Sequence, residues 1–258
     1  MSDSVLNFYD QLSEDYHLIF EDWDVSVKRQ GKILDQIIGN HLNQPRHNIK
    51  VFDCSCGIGT QAIGLALLDY KVHATDLSPN AVSRAEREAQ RLGANLSFGV
   101  ADFRSINKQV EGRYNVVISC DNSLPHLLDL EDLKLAMKNI WGKLECGGLF
   151  LASIRDYDQL LLEKPHTTTP VIFNDHYGKR IVFQVWDWEH YGKVYTLNHF
   201  IVKEDGDNWR TDCRSTRYRA LLRSELNSIL DEIGFSDINW SLPKETGYYQ
   251  PIVTAYKR

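Results

Sequence analysis

Several features are missing from this 258-residue sequence. It has no run of about 18 apolar residues, the minimum for a helix that spans a bilayer. Its start, MSDSVLNFYDQL, has no basic opening, no apolar centre and no small-residue cleavage site, so it does not read as a signal peptide. Basic residues are not in excess. The 29 Lys and Arg against 35 Asp and Glu give a net charge of −6, the wrong sign for gripping a phosphate backbone. These absences predict a cytoplasmic protein with neither a membrane nor a nucleic-acid partner. The five cysteines, at 54, 56, 120, 146 and 213, are odd in number. Cys54 and Cys56 are too close together for a structural disulfide, and no second pair completes a zinc site. Free buried thiols and no metal are expected. Repeats and low-complexity tracts are also absent, and nothing bears on oligomeric state.

What remains is ordinary globular composition, 43% apolar and 25% charged, long enough for one large α/β domain. Residues 1–48 read as a helical arm, with Phe8, Leu12, Tyr16, Ile19 and Phe20 at helical spacing and Val27, Ile33, Leu34, Ile37 and Ile38 following. From residue 49 strand-like and helix-like runs alternate: strands at 49–53, 71–76, 96–100, 114–120 and 149–154, helices at 61–69, 79–92 and 131–144. Ser78 is a candidate N-cap before Pro79, with Gly93 past the helix end. This alternation predicts a doubly wound, mostly parallel sheet with helices on both faces. After Arg155 the pattern changes. Runs at 181–188, 194–202 and 209–219, with turns at 191–192 and 204–208, predict an antiparallel β-rich cap over 155–220. A helix at 221–234 and a strand at 252–256 return to the core. The expected organisation is a single domain: arm 1–48, cofactor-binding core 49–154, cap 155–220 and core elements 221–258.

The most informative segment is Val51–Thr60, VFDCSCGIGT. A strand ends at Asp53, a turn through Cys54, Ser55, Gly57 and Gly59 follows, and a helix begins at Thr60. Glycines let a ligand approach the backbone, and a helix start offers free N–H groups. A dinucleotide fold wants Gly-x-Gly-x-x-Gly, and here the third glycine is replaced by Ala62. Asp53 at the mouth disfavours a pyrophosphate and favours a cation, such as the ammonium of a methionine moiety. Asp76, ending the second strand, suits two ribose hydroxyls. Leu77, Ala101 and Phe103 are candidates to flank an adenine ring. Asp102 is a candidate acceptor for the adenine amino group or a helix N-cap.

Asp53, Gly57-x-Gly59, Asp76 and Asp102 together resemble the nucleoside-binding motifs of class I S-adenosylmethionine-dependent methyltransferases, over about residues 49–154. The resemblance implies a seven-stranded Rossmann-like sheet whose last strand is antiparallel, with S-adenosylmethionine as cofactor. It adds Cys120, at the end of the fourth strand, to the cofactor-binding set.

The substrate side gives further candidates. Asn122 follows the fourth strand and offers an amide at the site mouth. His126 is a candidate general base or positioning donor, or a packed loop histidine. Arg155, at the end of the fifth strand, suits bidentate binding of a carboxylate, or a salt bridge with Asp156. The nucleic-acid amino-methylating motif, Asn/Asp-Pro-Pro-aromatic, does not occur. The runs Asn122-Ser123-x-x-His126-Leu127 and Arg155-Asp156-Tyr157-Asp158, with Tyr9-Asp10…Tyr16…Trp23…Arg29, resemble the glycine and sarcosine N-methyltransferases. That resemblance implies Arg155, Asn122 and Tyr157 around the substrate and Tyr16 facing the reacting centre. It also implies Arg29 and Trp23 at the cofactor, with Arg29 on its carboxylate. The aromatics Trp186, Trp188, Tyr191, Tyr195, Trp209 and Tyr218 of the cap, and Trp240, Tyr248 and Tyr249 of the tail, are expected mostly as packing, with a minority on the pocket wall.

The expected function is methyl transfer to a small molecule, with the amine of glycine or sarcosine preferred. The alternatives are a methyltransferase for another small acid or a hydroxyl, a non-catalytic cofactor-binding protein, and an NAD-dependent oxidoreductase. The missing glycine and Asp53 speak against the last.

Overall fold

The computed structural model describes residues 3–190 and 192–258. Tyr191, expected in a cap turn, lies outside the described residues. The chain opens with α1 (Asp3–Leu12), a 3-10 turn at Tyr16–Ile19 and α2 (Trp23–His41). The core then alternates: β1 (Lys50–Asp53), α3 (Thr60–Ala66), β2 (Lys71–Asp76), α4 (Pro79–Leu92), β3 (Ser97–Val100), α5 (Ile106–Gln109), β4 (Tyr114–Ser119), α6 (Leu130–Lys143) and β5 (Leu144–Ser153). After α7 (Tyr157–Glu163) come four strands, β6 (Val171–Asp175), β7 (Gly178–Trp188), β8 (Val194–Asp205) and β9 (Asn208–Arg219). The chain closes with α8 (Arg223–Ile233), β10 (Phe235–Ser241), α9 (Pro243–Thr246) and β11 (Ile252–Lys257).

Seven strands form one sheet in the order β10-β11-β5-β4-β1-β2-β3. The pairings β1–β2, β1–β4, β2–β3 and β4–β5 are parallel, whereas β11 runs antiparallel to both neighbours. This is the expected doubly wound sheet with an antiparallel last strand. Strand order reverses between β1 and β4, and in such sheets the crevice at the carboxyl ends of those two strands is where ligands bind.

Strand alternation divides the core. Val51, Val116, Ile118, Leu149 and Leu151 face Leu34 and Ile38 of α2 and Leu65 of α3, while Phe52, Val117 and Phe150 face Met137 of α6 and Leu226 and Leu230 of α8. The structure thus divides the expected arm. Its second helix, α2, is a layer of the core, and only α1 and the 3-10 turn reach across the top. The α2–α3 crossing is tight: a Cβ on Gly64 would lie 2.5 Å from the Val27 carbonyl oxygen, and one on Gly31 2.6 Å from Gly64. Two small residues let the backbones touch.

The cap is a separate antiparallel sheet, β6-β7-β8-β9. Trp188, Tyr195 and Tyr218 are directly paired across it, as are Trp186, Leu197 and Thr216. All of these sit on the face turned to the core, where Trp186, Tyr195, Leu197 and Tyr218 are buried. Trp209 is on the other side and exposed. Strands β6 and β10 carry too little apolar alternation to stand out in the sequence. Fully buried Arg180 ties the cap to the arm, donating to the Leu18 and Phe20 carbonyls and pairing with Asp175 at 2.8 Å. Further ion pairs hold the arm: Asp15 with Lys203 and Arg214 of the cap, Glu14 with Arg84 and Arg87 of α4, and Asp24 with Arg91. Cys54, Cys56 and Cys120 are buried free thiols as expected, but Cys146 and Cys213 are exposed. Cys146 lies in the glycine-containing start of β5 and Cys213 on the outer face of β9. No helix of the described residues is long and apolar enough to cross a membrane, and they hold no cluster able to take a metal ion.

Candidate active site

The turn after β1 is built by two left-handed glycines. Gly57 has φ +53° and Gly59, the N-cap of α3, has φ +91°. A Cβ on Gly59 would meet Ile63 at 2.8 Å, whereas one on Gly57 would project into open space. The turn is pinned from β2, because Asp76 accepts from the Gly57 N–H at 2.8 Å and from the Ser78 N–H at 2.9 Å. Ser78 caps α4 by accepting from the Ala81 N–H at 3.0 Å. It in turn donates to Asp10 of α1 at 2.5 Å.

Around this turn is a crevice. Of the expected cofactor residues, Cys54, Ser55, Gly57, Thr60, Asp76, Leu77, Ala101 and Phe103 line it, with Tyr16 and His126. Asp53, Gly59, Asp102, Cys120, Trp23 and Arg29 do not. Asp102 is turned away: its carboxylate pairs with the Arg104 guanidinium at 2.6 Å and accepts the Arg104 N–H at 2.9 Å. It does not cap α5 either, whose N-cap is Ser105. Trp23 is buried in an apolar cluster with Ile58 and Ile63, its indole N–H donating to the Thr60 hydroxyl at 3.0 Å. It braces the turn from behind.

Three carboxylates converge at the strand ends: Asp53 after β1, Asp76 after β2 and Asp121 after β4. Among the described residues none has a basic partner. Asp53 is buried, with one oxygen on the Ser55 N–H at 3.2 Å and the other unbonded. Burial first, then Asp76 and Asp121, push its pKa up to about 8. Burial also raises Asp76 and Asp121 above the usual carboxylate range. Acid groups without basic partners suit a cation, whose arrival favours their ionised forms. Asp121 was not singled out in the sequence, although the strand-end logic applied to Asp53 and Asp76 covers it. It adopts φ +58°, an uncommon left-handed conformation for a non-glycine residue. It accepts from the Tyr248 hydroxyl at 2.6 Å.

Asp121 and Tyr16 also border a second, larger cavity of about 750 Å³ between arm, core and cap. Arg155 and Arg29 line it, Arg29 at its exposed rim. The Arg155 guanidinium donates to the Tyr195 hydroxyl at 2.8 Å and to Gln184 Oε1 at 3.3 Å. It lies 4.9 Å from the Trp186 ring centre and 5.2 Å from that of Tyr218. The salt bridge to Asp156 does not form, for Asp156 pairs with Arg223. Arg155 therefore presents a charge without a carboxylate partner among the described residues. Asn122 and Tyr157, expected at the substrate, lie behind it. The Asn122 amide donates to the Tyr157 hydroxyl at 2.9 Å and accepts the Arg155 N–H at 3.1 Å, and both side chains are buried off the cavity wall. They hold Arg155 in position.

His126 is buried and fully engaged. Its Nδ1–H donates to the Arg217 carbonyl at 3.2 Å, so Nε2 accepts from the Tyr9 hydroxyl at 2.9 Å. Burial lowers its pKa to about 3. It positions Tyr9 and is a poor proton acceptor at neutral pH. Tyr16 faces both cavities.

Comparison with known proteins agrees with this geometry. Residues 51–148 match the family model of a methyltransferase domain. The fold around them is similar to that of solved S-adenosylmethionine-dependent methyltransferases. It is similar to such an enzyme from Clostridium acetobutylicum ATCC 824, with a TM-score of 0.72 at 17% identity, covering 96% of this chain and 97% of that one. It is likewise similar to an amino pentose methyltransferase from Micromonospora echinaspora solved with S-adenosylmethionine bound, TM-score 0.72 at 13% identity, covering 90% and 92%. In sequence the chain is similar to glycine/sarcosine N-methyltransferases. It is 29% identical to that of Parasynechococcus marenigrum over 140 residues, 54% of this chain and 48% of that protein, so the match spans about half the relative's length. It is 25% identical to that of Halorhodospira halochloris over 192 residues, 71% and 69%.

Proposed function

We propose that this protein is an S-adenosylmethionine-dependent methyltransferase acting on the amine of a small amino-acid-like molecule, the class that includes glycine and sarcosine. The observation that carries the reading is the pair of adjoining cavities. One is an acidic crevice around the glycine turn, and the other holds a half-buried guanidinium with no carboxylate partner. The names of the sequence relatives support the amine preference.

The crevice fits the cofactor. Asp76 suits the ribose hydroxyls, Leu77, Ala101 and Phe103 the adenine, and the open side of Gly57 a close backbone approach. Asp76 and Asp121 on the wall, with Asp53 buried beside them, favour a cationic ligand, which a dinucleotide is not. When bound, the cofactor supplies an activated methyl on a sulfonium that is already a good leaving group.

The protein's own task is to bind, orient and dry the acceptor. Arg155 holds the acceptor's acid group, stiffened by Asn122, Tyr195 and Gln184. Tyr16, at the junction of the cavities, positions the amine. Asp121 beside it takes the proton that an ammonium must lose before it can attack, because its raised pKa brings it nearer to that of an amine.

The test is calorimetry followed by turnover. S-adenosylhomocysteine should bind and NAD should not. Arg155→Ala should raise the acceptor KM by about tenfold or more, as expected for a charge-assisted contact of roughly 1.5–3 kcal/mol, and leave the S-adenosylhomocysteine Kd within about twofold. Equal loss of both would refute the role of Arg155.

A further inference from the structure

The large cavity is poorly matched to an acceptor as small as glycine. At about 750 Å³ it has room for roughly twenty-five waters at their ~30 Å³ share of the liquid. Glycine, with five heavy atoms, would displace only a handful and leave Arg155 wet. The walls are also wrong for it. Phe8, Leu12, Ile19 and Phe20 of the arm and Leu160 and Leu197 of the core and cap line the space. A small zwitterion covers none of that apolar surface.

The cavity holds a second polar group that the reading above does not use. His199, on the inward face of β8, lines the wall and is only 5% exposed. Its Nε2 has no hydrogen-bond partner. The orientation of Gln184 settles which proton it carries. Gln184 Oε1 accepts from Trp186 Nε1 at 3.0 Å and from Arg155 at 3.3 Å, both of which only donate. The Gln184 amide nitrogen is thereby turned to His199 Nδ1 at 3.3 Å, which must accept. Burial, then the nearby Arg155 and Arg214, lower the His199 pKa to about 4, so the ring is neutral. The neutral tautomer that accepts at Nδ1 carries its proton on Nε2. His199, which lines the same space as Arg155, therefore carries a buried N–H donor without a partner. Leaving such a donor unsatisfied is costly, and a ligand oxygen removes the cost.

We propose that the methyl acceptor is an acid substantially larger than glycine. Arg155 holds its acid group, His199 Nε2–H donates to a second oxygen, and its apolar carbon packs against Phe8, Leu12, Leu160 and Leu197. Gln184 couples the two anchors, because one side chain fixes both the guanidinium and the imidazole tautomer. This deepens the methyltransferase reading and rests on it.

The test titrates glycine, L-phenylalanine and L-tyrosine into the full-length protein, both free and saturated with S-adenosylhomocysteine. Phenylalanine and tyrosine should bind at least tenfold tighter than glycine. His199→Phe should weaken tyrosine, which carries the extra oxygen, at least about fivefold more than it weakens phenylalanine. His199→Gln, which retains an N–H donor, should restore much of the loss. Glycine binding as tightly as the aromatic acids overturns the proposal, as does failure of all three to bind a complex that forms normally. Equal weakening of phenylalanine and tyrosine by His199→Phe overturns the role of His199. Failure of S-adenosylhomocysteine itself to bind removes the methyltransferase reading instead, and the titration of the free protein then judges the chamber alone.

Discussion

Asp53 is buried at the end of β1, with one carboxyl oxygen unbonded. In the native protein its carboxyl holds a proton up to about pH 8, whereas in the unfolded chain it ionises near ~4. The native state thus binds more protons than the unfolded state between those values, and this group's contribution to stability falls as pH rises from about 4 to about 8, then levels off. Asp53→Asn should flatten that part of the stability–pH curve, measurable by denaturant titration at several pH values. The same shift predicts proton release when a cationic ligand binds. At pH 7, binding enthalpies of S-adenosylmethionine measured in buffers of different ionisation heat should report a released proton that Asp53→Asn abolishes. His126 behaves oppositely. With its pKa near 3 it stays neutral across the working range, so the pH–rate profile should lack a limb near 6.5 and His126→Asn should not create one. Asp53 and Asp76 were legible in the sequence because a strand, a turn and an acid form a local pattern. Asn122, Tyr157 and Asp102 were legible only as residues near a site. Which way each side chain turns is decided by partners far away in sequence: Arg155 for Asn122, Tyr195 for Tyr157, and Asp132 drawing on the far end of Arg104.

At the scale of elements, the alternation of strands and helices was readable almost throughout, because burial on both faces of the sheet imposes it. What could not be read was partnership. Gly64 sits in an apolar helical run that looked like any other, yet it is where α2 crosses α3. Gly64→Ala should overpack that crossing by about 1–3 kcal/mol and lower the thermal midpoint by roughly 2–4 °C per kcal/mol, as read by calorimetric unfolding. Because α3 begins at the glycine turn and Trp23 of α2 braces Thr60, cofactor affinity should weaken in the same variant. The cap was recognisable as an antiparallel insertion, but which of its residues face the core was not. The functional weight of Gln184 and His199 was invisible there, since a polar residue on an inward face counts as an exception until its partners are known. The aromatics were the reverse case. Trp186 and Tyr218, expected mainly as packing, lie 4.9 and 5.2 Å from the Arg155 guanidinium.

For the whole molecule, three bodies meet above the strand ends: the sheet core, the cap, and the short arm of α1 and the following turn. The arm supplies Tyr9 and Tyr16 to the site and Phe8, Leu12, Ile19 and Phe20 to the chamber wall. Phe8, Leu12 and Leu18 pack on Val182 and Ile201 of the cap, Arg180 ties the turn, and ion pairs complete its grip on both neighbours: Glu14 on Arg84 and Arg87, and Asp15 on Lys203 and Arg214. Such surface pairs add little to folding individually. They are nevertheless sensitive to ionic strength, because screening shortens from about 10 Å at 0.1 M to about 3 Å at 1 M. On the proposed reaction, salt is expected to act as a throttle. Between those concentrations the acceptor KM should climb and product escape should quicken, while the midpoint of thermal unfolding barely moves.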